Sequence, residues 1–279
     1  MRIVCNPPQN FQSSMGLNEF VATWSGNARR SSVARIGLCV TLAMSLVQPV
    51  RAGTTAGSIA GTNSAAARIE AIARTGCNSI AARVEALPGH APVLLRSYDS
   101  RRGHGAPSLS PLHSAAFAYD NALAVIALLA CHKQVQAERI GEALRLAAMN
   151  DTRLRDAYRA GVVEGDKPLP NGWRDAKQRR WVDAANQYSG AYQNSTSCGN
   201  VAWAALSMLS LYDATGEMRW RDAAVHLADW VVAHASDTRG AGGFDGGIES
   251  FLPVPRKALW KSTEHNIDLI ALFEWLGRI

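Results

Sequence analysis

No stretch of this sequence carries the roughly 18 apolar residues that a membrane-spanning helix needs. The longest apolar runs, Ile36 to Val47 and Ala122 to Cys131, hold twelve and ten residues, so no stable membrane insertion is expected of the mature chain. Charge of one sign is scarce too. The net +6 is mildly basic, but residues 1–52 hold Arg2, Arg29, Arg30, Arg35 and Arg51 against Glu19 alone, so +4 lies there and +2 in the remainder. With no basic stripe and no RNA- or DNA-binding motif, nucleic acid is not expected as a partner. No CxxC pair or Cys/His spacing suggests a metal. The glycines of residues 240–247 follow no strand and precede no Lys-Ser/Thr, so they form no phosphate cradle. Neither metal nor cofactor is therefore expected.

What is present is an ordinary globular composition, 47% hydrophobic and 19% charged over 279 residues, enough for one sizeable core or two small ones. The first 52 residues read as a leader. Arg29-Arg30 and Arg35 form a basic region over residues 29–35, Ile36 to Val47 an apolar one over 36–47, and Val50-Arg51-Ala52 before Gly53 fits a small-residue cleavage site. That order predicts a signal peptide and a secreted or periplasmic protein. Removing the leader takes away Cys5 and Cys39 and leaves Cys77, Cys131 and Cys198. Buried free thiols are expected, with one disulfide as the alternative.

Residues 53–64, rich in Gly, Ser, Thr and Ala, read as a linker before a helical domain over 65–279. A first helix runs from Ala65 to Leu87, and Pro88-Gly89 stops it. Helices at 114–131, 198–212 and 264–276 are apolar nearly all round and predict burial on every side. Those at 135–149 and 219–234 carry one apolar stripe and predict an outer position. Inner-to-outer turns are short, whereas outer-to-inner connections run from about Asn150 to Ser197 and from Ala235 to Thr263. Connections that long in a compact domain are commonly functional. The alternation predicts a toroid of helical hairpins rather than a simple bundle.

Polar groups gather where the long loops enter the inner helices: Tyr119, Asp120 and Asn121, then Asn200 and Trp203, then Glu264, His265 and Asn266. Ser262 and Thr263 provide a cap for the last helix. The 150–197 loop adds Trp173, Trp181, Tyr188 and Tyr192, with Asn171-Gly172 as a hairpin turn. Flat aromatic faces suit sugar rings. Asp245 and Glu249 lie on or beside the glycine-rich loop.

These features, with the motifs Tyr119-Asp120-Asn121-Ala122-Leu123, Gly199-Asn200-Val201-Ala202-Trp203, Gly242-Gly243-Phe244-Asp245-Gly246-Gly247 and Ser262-Thr263-Glu264-His265-Asn266, resemble the (α/α)6-toroid six-hairpin glycosidase-like superfamily over Ser114 to Ile279. The resemblance implies an all-α toroid, here about half of a six-hairpin barrel, and a carbohydrate substrate or ligand. Three functions compete. A glycoside hydrolase would use paired carboxylates, Glu264 and Asp120, with Asp245 and Glu249 in reserve. A sugar epimerase would use His265 as base, with His113 across the cleft. A non-catalytic glycan-binding protein, or a truncated remnant of such a toroid, would keep the cleft without turnover. In each, Tyr119, Asn121, Trp173, Trp181, Tyr188, Asn200, Trp203, Asp245, Glu249, His265 and Asn266 are the expected sugar contacts. The oligomeric state is not legible.

Overall fold

The computed structural model describes residues 59–98, 111–166, 168–170, 172–175, 179–183, 192–250 and 254–279. The leader and its cleavage site lie outside them, as does Tyr188. The residues from Gly57 to Ile279 form one compact unit. Among the described residues there are six α-helices: α1 (Ile59–Glu85), α2 (Ala118–Ala130), α3 (Gln134–Asn150), α4 (Cys198–Thr215), α5 (Met218–Ala235) and α6 (Thr263–Leu276). The expected linker is thus shorter than residues 53–64, because α1 begins at Ile59. Its alanines, free of side-chain entropy cost, extend the helix through the Gly and Ser positions.

Apolar patterning decides which helix lies inside. In α4, eleven residues are buried, from Cys198 and Gly199 through Leu206, Met208, Leu209 and Leu211. It packs against α2 and α6 on the inside and α5 and α3 on the outside. Leu128, Met208, Leu209 and Leu211 are fully covered, each contributing about 1.5–3 kcal/mol by leaving water. Helices α3 and α5 bury one stripe each: Ala137, Ile140, Gly141, Ala143, Leu144, Ala147 and Ala148 in α3, and Trp220, Ala223, Ala224, Leu227, Ala228, Val231 and Ala235 in α5. The inner and outer assignment therefore holds for α4/α5, whereas α2, expected to be buried on every side, buries only the stripe Ala118, Asn121, Ala122, Val125 and Leu128. Helix α6 differs from expectation. Only Leu269 and Leu272 are buried, while Ile267 and Ile270 are 59% and 52% exposed, because no described helix covers that side.

Short strands tie the loops to the inner helices. They are β1 (Val93–Leu94), β2 (Ala115–Phe117), β3 (Ala157–Arg159), β4 (Gly161–Val162), β5 (Gly172–Asp175), β6 (Arg180–Asp183), β7 (Thr196–Ser197), β8 (Gly247–Glu249) and β9 (Arg256–Ala258). β2 pairs with β3, β1 with β4, and β7, β8 and β9 form a three-stranded sheet in that order, all antiparallel. The β5–β6 hairpin pairs Gly172 with Asp183 and Asp175 with Arg180. Gly172, expected in the turn, instead opens the first strand, and Asn171 lies outside the described residues.

A backbone scheme recurs at the entrances. The first amide of α2, at Ala118, donates to the Asp156 carbonyl, and that of α4, at Cys198, to the Gly246 carbonyl. The next links repeat as well: the Asp156 amide donates to Ser195, three residues before α4, and the Gly246 amide to Trp260, three before α6. Each entrance is thereby tied to the following one, which satisfies helix-end amides that water would otherwise have to reach. Cys77 and Cys131 form a disulfide, joining α1 to the C-terminal end of α2, so the expected free thiols are reduced to Cys198, which is buried.

Candidate functional site

The same side chain performs the same work at two entrances. Asn121, the fourth residue of α2, accepts from the Leu95 amide at 2.8 Å and donates to the carbonyls of Leu95 at 3.1 Å and Phe117 at 2.9 Å. Asn266, the fourth residue of α6, accepts from the Phe244 amide at 2.9 Å and donates to the carbonyls of Phe244 at 3.0 Å and Ser262 at 2.9 Å. Each clamps a loop residue by both backbone groups and the helix's own N-cap by a third bond. Their amide groups are committed to backbone, so the expected sugar contacts at Asn121 and Asn266 become scaffold.

Asn200 is likewise structural. It donates at 2.7 Å to the buried Asp156, whose carboxylate also accepts from the Ser197 amide at 2.7 Å and the Ser197 hydroxyl at 2.8 Å. Asp156 thus caps α4 from another loop. Burial pushes its pKa up to about 6, against the pull of those bonds and of Arg153. Asp245 is also internal, with no exposed surface. It accepts from the Gly247 amide at 3.0 Å and pairs with Lys257 at 2.8 Å.

The remaining groups converge on one row across the entrances of α2, α4 and α6. The Tyr119 ring meets Trp203 edge-on at 5.9 Å. The Trp203 indole leans on Asp268 without a hydrogen bond of normal geometry. His265 lies directly on Gly199, where a Cβ would stand 2.4 Å from its ring. Trp260 follows, 5.6 Å from His265 and over Gly246, where a Cβ would stand 2.5 Å from the indole. Its N–H donates to Glu249 at 2.7 Å. Two glycines therefore make room for two rings.

Ser262 caps α6, accepting from the His265 amide at 3.3 Å, which fixes the first turn bearing Glu264 and His265. Glu264 is exposed. One turn on, Asp268 has its pKa raised, chiefly by burial and then by the Glu264 charge, with Trp203 opposing. Burial lowers the pKa of His265, and Glu264 partly offsets that. The Tyr192 pKa is raised by burial, then by the charges of Asp156, Tyr98 and Glu264. Three polar atoms here are covered and without a hydrogen-bond partner: Nδ1 of His265, Oδ2 of Asp268 and Nε1 of Trp203. A carboxyl held toward its protonated form and an imidazole held toward its neutral form can give and take protons, while the indole N–H can donate a hydrogen bond.

Asp120 sits exposed in the first turn of α2. Trp173 and Trp181 lie on the β5–β6 hairpin, registered opposite Val182 and Arg174. His113 lies in the 3-10 turn Pro111–Ser114 before β2. The residues missed from sequence are Asp268, Trp260 and Asp156. Asp268 had a signal, a lone carboxylate in the apolar run Ile267 to Leu272, four residues after Glu264. Asp156 had none, since its role comes from a tertiary contact with Ser197.

No protein-family model matches the chain, and no curated protein sequence matches it. Among solved structures, cellobiose 2-epimerase from Spirochaeta thermophila DSM 6192 aligns with a TM-score of 0.41 and 13% identity, over 67% of this chain and 42% of that one. The chain therefore spans less than half the length of that enzyme.

Proposed function

We propose that this chain is an exported carbohydrate-active protein of glycoside hydrolase type, whose proton-transfer groups stand at the entrance of α6. The observation that carries the reading is the Glu264–Asp268 pair. One carboxyl is desolvated and keeps its proton toward higher pH, and the other is open to solvent one helical turn away. Asp268 serves as the acid that protonates the leaving glycosidic oxygen, and Glu264 as the carboxylate that activates water or steadies positive charge on the ring. Asp268 thus replaces Asp120 as partner of Glu264. Trp260 and Tyr119 supply flat faces for the sugar. The Cys77–Cys131 disulfide supports export, since such bonds persist in oxidising compartments.

One observation favours a second reading, interconversion of free sugars. His265 is kept neutral by burial and its Nδ1 is unpartnered, which suits a base. The deciding experiment incubates the protein with oligosaccharides and with free reducing sugars, following hydrolysis and isomer exchange separately. Asp268→Asn should lower hydrolysis at least about 100-fold, the lower range of a general-acid contribution, while glycan affinity and melting temperature hold. Activity that survives Asp268→Asn and dies in His265→Asn favours interconversion. Binding without turnover favours a glycan-binding protein, and no binding to any sugar overturns the carbohydrate reading.

A further inference from the structure

Trp260 is a large side chain that stands half in water and is nevertheless held from several directions. It is 47% exposed, so burial alone does not fix it. Its backbone is held first. The Trp260 carbonyl accepts from the Gly246 amide at 2.8 Å. The carbonyl before it, at Leu259, accepts from the Arg239 guanidinium at 2.7 Å, and Arg239 is itself paired with Asp237. The residue after it, Lys261, donates its ammonium to the carbonyls of Arg239 at 2.7 Å and Gly242 at 2.8 Å and lies 3.4 Å from the Asp237 carboxylate. Residues 259 to 261 are therefore pinned to the 237–246 segment whatever the ring does.

The ring still has its own torsions to settle. It lies over Gly246, where a Cβ would stand 2.5 Å from the indole, and the His265 ring is 5.6 Å away, tilted by 53°. A floor without a side chain lets the indole lie flat, but it does not by itself choose between orientations related by a half-turn about χ2, a torsion with broad, roughly twofold preferences. The N–H makes that choice. It donates at 2.7 Å to Oε1 of Glu249, which is half-buried at the end of β8. Because this bond is open to water, it adds little to the stability of the fold. What it does is hold one orientation of an exposed ring.

From this geometry we infer that Glu249 is a positioning residue for Trp260, ordering the indole before a sugar arrives. Binding then does not have to immobilise the ring, a cost that for one side chain amounts to roughly two- to tenfold in affinity. The role rests on the carbohydrate reading, in which Trp260 is a stacking face. It takes Glu249 out of the reserve of catalytic carboxylates and out of the expected sugar contacts, since it acts through another side chain.

The test uses the full chain with Glu249→Ala, Glu249→Gln, Trp260→Phe and the double variant Glu249→Ala/Trp260→Phe. Indole N–H signals are followed in proton–nitrogen correlation spectra, where the Trp260 signal is the one that Trp260→Phe removes. Affinity for a sugar panel including cellobiose, maltose and lactose is followed by calorimetry. Glu249→Ala should move the Trp260 signal and weaken binding by roughly two- to tenfold, with little change in melting temperature. Glu249→Gln should restore the affinity, because its amide oxygen still accepts from the N–H. In the Trp260→Phe background, which keeps a flat face and lacks the N–H, Glu249→Ala should cost nothing further, as expected of two residues that act as a unit. An unmoved signal in Glu249→Ala, a Glu249→Gln variant as weak as Glu249→Ala, or additive losses in the double variant each overturns the proposal, the last two in favour of a carboxylate that meets the sugar itself. A wild type that binds no sugar sinks the carbohydrate reading and this proposal together, whereas failure in the variants alone leaves that reading standing.

Discussion

Asp156 shows how one buried carboxylate can matter without touching a ligand. Its pKa is raised from 3.8 to about 6, so between these values the folded chain holds a proton that the unfolded chain has released. The unfolded state binds fewer protons there, and stability falls as pH rises from about 4 to about 6 and then levels. A two-unit rise corresponds to roughly 3 kcal/mol. Denaturant titrations at pH 4 and pH 7 should show that loss in the wild type and its near absence in Asp156→Asn. Asparagine can still accept from the Ser197 amide and Asn200, and can donate to the Ser197 hydroxyl. At Gly246 the expected effect is local. Gly246→Ala puts a methyl into the Trp260 ring, and since that ring is 47% exposed it swings away rather than unfolding the sheet. Thermal melts should change little, whereas quenching of Trp260 fluorescence by soluble quenchers should rise as the bond to Glu249 is lost.

At the scale of elements, the entrances of α2 and α6 depend on the two asparagine clamps, and their burial sets the order of cost. Asn121 is fully buried, so Asn121→Ala strands the amide and carbonyl of Leu95 and should destabilise by about 2–4 kcal/mol. Asn266 is half-buried, so water can reach part of the vacated site. Asn266→Ala should cost about 1–2 kcal/mol. Urea midpoints of both variants check the order, and a larger loss at Asn266 would contradict it. The clamp was hard to read from sequence because Tyr119-Asp120-Asn121 and Glu264-His265-Asn266 share only their last residue. In each triplet the polar residues ahead of the asparagine pointed to a ligand, while the partner of the asparagine is a backbone segment more than twenty residues earlier.

For the whole molecule, the Cys77–Cys131 bond decides how firmly α1 belongs. The two cysteines are 54 residues apart, and closing a loop of that length in the unfolded chain is worth roughly 4 kcal/mol in the chain-entropy model. Beyond it, α1 rests on α2 and α3 through Ala81 and Val84. Arg139 helps by donating to the carbonyls of Val84 at 3.1 Å and Ala91 at 3.0 Å. Replacing both cysteines by serine should therefore release α1 while α2 to α6 stay folded. Limited trypsin digestion should cut after Arg83 in the variant and spare it in the oxidised wild type. Complete digestion of the variant would show that the remaining helices need α1.

The sequence by itself determined the helices and, for α4 and α5, which of the two lies inside, because burial on every side and burial on one stripe demand different apolar periods. It also determined the end at which polar groups gather, since caps and long loops are local features. Only the tertiary structure decided which of those groups are scaffold and which are free. Asn121, Asn200, Asn266 and Asp245 are absorbed by backbone or by buried partners from distant loops. Asp268, Trp203 and His265 keep covered atoms without a hydrogen-bond partner, on helices that meet where the His265 ring lies on Gly199. Exposure of α6 was decided the same way: its apolar run predicts a buried helix, but burial depends on a neighbour, and a helix's own residues do not say whether one is there.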